Sequence, residues 1–124
     1  MMKALMLLVG LTAAVAPAAR ADEAQVAAGR AAFATCAVCH SAEKGRIIVG
    51  PPLYGVVGRK AGTVPGFSYS KAMAASGITW DAASIDAFIT SPQAKVPGTR
   101  MPFAGLKDPV KRAAIIAYLT TLHD

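Results

Sequence analysis

The sequence predicts an all-α fold in which a few helices and long irregular loops surround a large apolar partner. Several segments carry helix start and stop signals, whereas no alternation of polar and apolar residues is long enough to indicate a strand. The intervening segments, residues 45–66 and 92–105, are rich in Gly and Pro. Long loops in a small domain are usually functional, and these loops need something apolar to pack against.

The composition is typical of one globular domain with a mildly basic surface. The chain has 124 residues, of which 54% are hydrophobic, and 13 Lys plus Arg against 7 Asp plus Glu. This length allows one domain of ordinary size, and the high apolar content excludes a disordered chain. The basic residues form no long run with interleaved aromatic residues, so we expect no binding to nucleic acid.

The first segment, residues 1–21, is predicted to be a cleaved signal peptide. Lys3 precedes an apolar run that ends before Pro17, and the last three residues, Ala-Arg-Ala, have the small-x-small form of a signal-peptidase site. The run is too short and too broken for a good membrane-spanning helix. We therefore expect cleavage after Ala21, a periplasmic location, no stable membrane insertion and a folded domain over residues 22–124.

Three to five helices are predicted, and the first two begin at recognisable capping residues. Asp22 and Gln25 have the spacing of a capping box and open an Ala-rich helix that extends through Phe33. Ser70 can cap a short helix over residues 71–76. Both segments therefore have a physical reason to begin where the pattern places them.

Two further helices are predicted in the C-terminal half. Thr79 can cap a helix that runs toward Ser91 and ends before a proline. Asp108 followed by Pro109 is typical of a helix start, and the helix continues over Val110–Leu122. The apolar face of this last helix is predicted at residues 110, 113, 114, 117 and 118.

The segment from Cys36 to His40, CAVCH, has the C-x-x-C-H form that marks covalent attachment of a c-type haem. Two cysteines three residues apart lie on one face of a helical turn, where both sulfurs can add to the vinyl groups of one porphyrin. His40, directly after Cys39, can bring a ring nitrogen to the iron from the same side. The motif therefore predicts one covalently bound haem c per chain.

Other interpretations of the cysteine pair explain less of the sequence. A thioredoxin-like site would follow a strand in a βαβ unit, and no such unit is visible. A zinc site needs four ligands, and the only other histidine is His123, at a spacing that matches no zinc pattern. A disulfide would close a very small loop and would leave His40 without a role.

Met101 is predicted to be the second axial ligand of the iron. Met1, Met2 and Met6 lie in the predicted signal peptide, and Met73 lies on a short predicted helix, where Met usually fills a core. Met101 instead lies in an irregular loop between rigid residues, which can hold a thioether over the haem face. Ligation by His and Met raises the reduction potential of the iron relative to ligation by two imidazoles. The alternative is that Met101 only anchors the loop in the core.

Beyond the C-x-x-C-H motif, further segments follow one another as they do in the class I cytochromes c. They are GPPLYGVVGR at 50–59, PGFSYS at 65–70, GITW at 77–80, PGTRMPFAGL at 97–106 and IIAYL at 115–119. Residues 22–124 therefore resemble the bacterial cytochrome c2 and mitochondrial cytochrome c type. The resemblance implies a small cytochrome c fold wrapped around one haem. It also implies that Gly29 and Phe33 pack on the last helix, with Tyr118 and Ile115 as neighbours.

The resemblance assigns roles to residues around the haem. The carbonyl of Pro51 is implied to accept the ring N–H of His40, and Thr99 to lie near one propionate. The residues implied to lie near the other, buried propionate are Arg59, Tyr69 and Trp80. The sequence departs from the family at two positions. Phe88 stands where the mitochondrial pattern usually has Tyr, and Met73 stands where an Asn lies near a propionate.

The implied function is that of a soluble, monomeric electron carrier rather than an enzyme, because both axial positions of the iron are filled. The implied partners are redox proteins with acidic docking surfaces: a bc1-type complex, a terminal oxidase, a photosynthetic reaction centre or a periplasmic dehydrogenase. The residues implied to rim the exposed haem edge are Lys95, Arg100 and Lys107. Two alternatives remain: a haem peroxidase or gas-reactive haem protein with an open iron, and a fixed redox subunit of a larger membrane complex.

Overall fold

The structure, a computed structural model, describes residues 1–13 and 17–124 and is helical. Three helices span more than two turns, and three segments are single turns. In chain order they are α1 (Pro17–Ala32), α2 (Ala34–Ala37), α3 (Lys71–Ala74), α4 (Ala82–Thr90), α5 (Pro92–Lys95) and α6 (Pro109–Thr120). Within the described ranges, the pairing of extended backbone is limited to one isolated bridge between Lys60 and Thr79. The predicted all-α class is confirmed.

Helices α1 and α6 pack closely, and a glycine sets their separation. A methyl group on Gly29 would overlap the backbone carbonyl of Ala114, so only glycine allows this approach. One turn later the rings of Phe33 and Tyr118 meet edge to face with centroids 5.3 Å apart. The predicted packing of Gly29 and Phe33 on the last helix is confirmed. Ile115, the other predicted neighbour, is buried in the same core.

Two of the predicted helix starts are confirmed by their capping hydrogen bonds. The carboxylate of Asp108 accepts from the backbone N–H groups of Val110 and Lys111, at 3.0 and 3.2 Å. The hydroxyl of Ser70 accepts from the N–H of Met73 at 3.1 Å. In both cases a side-chain oxygen satisfies an N–H that has no partner inside the helix.

The other two predicted starts are wrong. Helix α1 begins at Pro17, so Asp22 lies inside it, because the Ala-rich segment before Asp22 continues the helix. Helix α4 is capped by Asp81 rather than Thr79. The Asp81 carboxylate accepts from Ser84 N at 2.7 Å, and the Ser84 hydroxyl accepts from Asp81 N at 2.8 Å. This reciprocal capping box satisfies two N–H groups, and its hydrogen bonds lower the pKa of Asp81.

The buried face of α6 differs from the predicted one. Its buried residues are Ala114, Ile115, Tyr118 and Leu119, whereas Val110 is 76% exposed and Ala113 is exposed. The pattern fails because residues 113–119 are all apolar and fit more than one face of the helix. Ala114 and Tyr118 meet α1, while Leu119 lines an internal cavity.

The loop between α5 and α6 is fastened to the end of α4. Leu106 N donates to the carbonyl of Ile89 at 2.8 Å, and Arg112 Nη1 donates to the carbonyl of Leu106 at 3.0 Å. A side chain on Gly105 would overlap the carbonyl of Thr90. The loop is therefore held in place at its C-terminal end. No helix within residues 1–13 and 17–124 combines the length and hydropathy needed to cross a bilayer.

Candidate functional site

A cavity of about 600 Å³ lies inside the fold and is lined largely by aliphatic and aromatic side chains. The apolar residues of its lining include Val38, Val49, Leu53, Val56, Phe67, Met73, Trp80, Ile85, Phe88, Ile89, Met101, Phe103 and Leu119. A volume of this size is within the usual range for small-molecule and cofactor sites. The long loops and α4 and α6 together enclose it, as the loop-rich sequence predicts.

One part of the lining is the turn that carries the C-x-x-C-H motif. Cys36 N donates to the carbonyl of Phe33 at 2.8 Å, and the carbonyl of Cys36 accepts from Cys39 N at 3.0 Å and His40 N at 2.9 Å. These bonds keep residues 36–40 in a helical turn. Cys36, Cys39 and His40 therefore all line the cavity, and both thiols are free. Burial raises the pKa of the Cys36 thiol.

His40 is held in a defined orientation by the next loop. Its Nδ1 lies 2.7 Å from the carbonyl oxygen of Pro51, which can only accept, so Nδ1 donates its proton. Burial lowers the pKa of His40, an effect that Arg59 reinforces and the Pro51 hydrogen bond opposes. The neutral imidazole that burial favours, protonated on Nδ1, leaves a lone pair on Nε2. The geometry thus provides a nitrogen donor at the cavity.

Gly50 makes this arrangement possible, a role that the sequence did not reveal. A Cβ at this position would lie 2.6 Å from His40 Cε1 and 2.9 Å from His40 Nδ1, closer than real Cβ contacts. Gly50 N also donates to the carbonyl of Cys39 at 2.7 Å, which pins this loop to the motif. The G-P-P sequence is the signal that could have indicated a close backbone approach here.

Met101 lines the cavity from the loop between α5 and α6 and is half-buried. This loop is braced by Gln93, which sequence analysis missed and which carries no recognisable signal. Its Nε2 donates to the carbonyl of Thr99 at 2.8 Å, and its Oε1 accepts from Gly98 N at 3.3 Å. Thr99 is buried and lines the cavity beside Met101. The thioether is thus carried on a braced segment.

The cavity lining also includes four other residues implied to surround the haem: Pro51, Arg59, Tyr69 and Trp80. Arg59 Nη1 donates to the carbonyl of Tyr54 at 3.2 Å, and burial lowers the pKa of the Arg59 guanidinium. The lining contains no Asp or Glu, and the ion pairs of the described residues do not include Arg59. A half-buried guanidinium without a carboxylate is suited to an anionic ligand group.

Both departures from the family pattern fall on the cavity lining. Phe88 is buried with its ring centroid 5.2 Å from that of Trp80, and Met73 is half-buried against the core. Neither side chain can donate a hydrogen bond to a group in the cavity. Their contribution to the lining is therefore apolar.

The three predicted docking residues lie at different places relative to the cavity. Arg100 lines the cavity and its Nη2 donates to the carbonyl of Ser68 at 2.6 Å. Lys107 Nζ donates to the carbonyl of Thr90 at 2.8 Å. Lys95 is exposed and close enough to Asp81 to help lower the pKa of that carboxyl. Only Arg100 borders the cavity.

The zinc interpretation has no further support from the structure. His123 Nδ1 lies 2.8 Å from the carbonyl oxygen of Asp124. Among the residues that the structure describes, no group of three or more His, Cys, Asp or Glu side chains could hold a metal ion. His123 and the two cysteines therefore form no such cluster.

Comparison with known proteins identifies the group to which this site belongs. The family model for cytochrome c matches residues 26–123. The chain belongs to the cytochrome c family. Cytochrome c2 iso-2 of Magnetospirillum fulvum is 50% identical over 91 residues, which are 73% of this chain and 95% of that protein. Cytochrome c2 of Rhodomicrobium vannielii is 50% identical over 99 residues, 77% of each chain.

A solved structure also matches the fold. Cytochrome cH from Methylobacterium extorquens has a TM-score of 0.74 and 49% identity, and the match covers 77% of this chain and 97% of that chain. The resemblance to class I c-type cytochromes is thus confirmed, and the cofactor of this chain is a covalently bound haem c. The cavity fits that group, because it combines apolar walls, two free thiols, an imidazole and an unpaired guanidinium.

Proposed function

We propose that this protein is a soluble, periplasmic one-electron carrier that holds its haem through Cys36 and Cys39 and ligates the iron with His40 and Met101. One observation carries the proposal: these four side chains line a single apolar cavity. The haem supplies an iron that changes its oxidation state by one electron. The chain supplies the attachment, the ligands and a dry environment.

Cys36 and Cys39 are the only cysteines in the chain, so covalent attachment through two thioethers requires both. Their helical turn presents both sulfurs to the same cavity. Attachment at these positions brings the next residue, His40, to the metal. The carbonyl of Pro51 keeps the His40 proton on Nδ1 and increases the basicity of the nitrogen that faces the iron.

Met101 supplies the second ligand in the proposal. A thioether ligand raises the reduction potential relative to a second imidazole, which suits exchange with respiratory or photosynthetic partners. The Gln93 brace and the bonds from the loop to α4 hold the segment that carries Met101. With His40 and Met101 bound, the iron has no free position for a substrate, so we infer a carrier rather than an enzyme.

Arg59, Tyr69, Trp80 and Thr99 are proposed to surround the propionates. Arg59 offers a positive charge where the lining has no acid, and this offsets the cost of burying a carboxylate. The hydroxyl of Thr99 is buried in the lining and can donate a hydrogen bond. Phe88 and Met73 bring no such donor, so no hydrogen bond to a propionate comes from either of them.

The proposal extends to the route and the partners of the protein. We infer that residues 1–21 direct export and are cleaved after Ala21. Helix α1 crosses this position, and cleavage there would leave Asp22 to begin the helix. The partners are redox proteins with acidic docking surfaces, and Lys95, Arg100 and Lys107 supply the basic groups. The protein acts as a monomer.

An optical spectrum of the holoprotein tests the ligand assignment. Wild-type protein should be low-spin and show the weak far-red band of Met sulfur bound to Fe(III). Its spectrum should not change when carbon monoxide is added. Met101→Ala should keep its covalent haem, lose the far-red band, bind carbon monoxide and have a lower potential. Met73→Leu is the matched control, because Met73 lines the same cavity and should keep the band.

Two results would contradict the proposal. A far-red band that survives in Met101→Ala would refute the assignment of the second ligand. A wild-type protein that is high-spin and shifts with carbon monoxide would indicate an open iron, and would favour a peroxidase or a gas-binding protein instead.

A further inference from the structure

The loop of residues 96–108, here called the Met101 loop, is tied at its C-terminal end to an ion pair between two helices. Arg112 of α6 donates from Nε to the carboxylate of Asp86 in α4 at 2.8 Å. Its Nη1 donates to the carbonyl of Leu106 in the loop at 3.0 Å. Leu106 is five residues after Met101. One guanidinium therefore connects α4, α6 and the segment that carries the proposed iron ligand.

The Arg112 side chain is much more buried than the other cations that form ion pairs. It is 12% exposed, whereas Lys44 and Arg46, the cations of the other two pairs within residues 1–13 and 17–124, are 69 and 59% exposed. Exposed ion pairs contribute little, but a buried charge that loses its partner pays a large desolvation cost. Asp86 therefore fixes the position of the guanidinium, and with it the hydrogen bond to Leu106.

Two further hydrogen bonds join the same end of the loop to α4. Leu106 N donates to the carbonyl of Ile89 at 2.8 Å, and Lys107 Nζ donates to the carbonyl of Thr90 at 2.8 Å. Lys107 is exposed, so water and salt compete for its contact. The contact made by Arg112 is therefore the charged one that is shielded from solvent.

The apolar packing of this end of the loop is incomplete. Leu106 and Phe103 line a second cavity of about 140 Å³, whose other walls come from α1, α2, α4 and α6. Side chains that border a cavity lose dispersion contacts on that side. The hydrogen bonds of the loop therefore account for more of its attachment than they would in a closely packed segment.

We propose that Asp86 and Arg112 are positioning residues that determine how long the Met101 sulfur stays bound to the iron. Neither residue lines the haem cavity, so both act through the loop: the ion pair fixes the hydrogen bond to Leu106, which limits movement of the Met101 loop. The proposal rests on the proposed ligation of the iron by Met101. When the sulfur leaves, it keeps the electron pair of the bond, so its release changes no oxidation state.

The replacement of the Met101 sulfur by imidazole on Fe(III) measures this lifetime. When the oxidised holoprotein is mixed with increasing imidazole, the rate of binding levels off at the rate of sulfur release. Arg112→Gln removes the charged donor and should raise this limiting rate about tenfold, the effect of one hydrogen bond to a charged group. Asp86→Asn keeps an oxygen that can accept from Arg112 and should raise the rate only about threefold.

Two control variants separate positioning from a general loss of stability. Lys44→Gln breaks the exposed ion pair with Asp124, which makes no contact with the Met101 loop, and should leave the limiting rate unchanged. Gly45→Ala strains a glycine with φ of +72° and open space around its Cβ position. It should lower the unfolding midpoint in urea and also leave the limiting rate unchanged.

The outcomes distinguish this proposal from the function on which it rests. A far-red band that is absent in the wild type, or that survives in Met101→Ala, would overturn both. Wild-type limiting rates in Arg112→Gln, with the band present, would overturn the positioning role and leave the ligand assignment intact. An equal rise in Gly45→Ala would do the same, because the rate would then follow overall stability. If Arg112→Gln yields no holoprotein, Asp86→Ala takes its place, since it removes the acceptor and keeps the guanidinium.

Discussion

Substituting Gly50 with alanine tests how much of the site depends on one missing side chain. The Cβ would lie 2.6 Å from His40 Cε1, whereas carbon contacts become favourable only near 3.5 Å. The ring or the loop must therefore move by about 0.9 Å. The hydrogen bond from His40 Nδ1 to the carbonyl of Pro51 is now 2.7 Å long. A movement of this size that takes the ring away from Pro51 breaks this hydrogen bond.

The expected loss of stability follows from these contacts. Overpacking a fitted site costs about 1–3 kcal/mol, and loss of the hydrogen bond adds about 1 kcal/mol. Gly50 does not have positive φ, so alanine fits its backbone and returns up to about 1 kcal/mol by restricting the unfolded chain. We expect Gly50→Ala to lower the free energy of unfolding by about 2 kcal/mol.

Gly45→Ala is the matched control for this experiment. Gly45 has φ of +72° and nothing within 4 Å of its Cβ position, so alanine is strained there without touching His40. It should cost about 1–2 kcal/mol, which is similar to the cost at Gly50. The two variants therefore have to be separated by a measurement that reports on His40 and not on stability alone.

Urea unfolding of the two holoproteins should be combined with their optical spectra and reduction potentials. Both variants should unfold earlier than the wild type, but only Gly50→Ala should shift the spectrum and the potential. A Gly50→Ala protein with the unfolding midpoint, spectrum and potential of the wild type would refute the argument that this glycine makes room for the imidazole.

Two further predictions concern the brace and the cap beside the cavity. Gln93→Ala should cost about 1 kcal/mol and lower the temperature at which the far-red band is lost, because Thr99 and Gly98 lose their partner. Gln93→Glu, which keeps only the acceptor, should fall in between, and an unchanged melting of the band in Gln93→Ala would contradict this. Hydrogen bonds from Ser84 lower the pKa of Asp81 below its unfolded value. Its carboxylate therefore stabilises the fold at neutral pH and loses this effect as the pH falls through the folded pKa. The difference in Tm between wild type and Asp81→Asn should shrink between about pH 7 and about pH 2, and a constant difference would contradict the assignment.

The sequence predicts the parts of the fold that depend on local chemistry. The helix start at Asp108 is one example, because the N–H groups that it caps lie within three residues of it. It fails where two local signals compete. Thr79 and Asp81 are both good capping residues, and the hydroxyl of Ser84 decides in favour of Asp81 by closing the capping box.

Periodicity fails for a different reason in α6. A single apolar face predicts Val110 and Ala113 inside, but this helix has two burial partners. Tyr118 meets Phe33, the residue after α1, and Leu119 lines the cavity one position further along the helix. The buried residues cover an arc as wide as the predicted one but turned around the helix, because the continuous run of apolar residues at 113–119 fits more than one face. The sequence shows the helix but not its two partners.

In the candidate site too, the features set by neighbouring residues can be predicted from the sequence, whereas those set by distant residues are harder to predict. The motif itself places Cys36, Cys39 and His40 on one turn, so their grouping could be predicted from five letters. What orients the imidazole is eleven residues away, where Pro51 accepts from its Nδ1, a contact that the family resemblance implied but that no local pattern indicates. The brace of the Met101 loop is an exposed Gln93 without any pattern around it. The sequence therefore predicts which residues bind the iron, because binding depends on the chemistry of their side chains. The orientation of these residues is harder to predict, because it depends on backbone carbonyls. Every residue has such a carbonyl, and only the fold brings the right one into place.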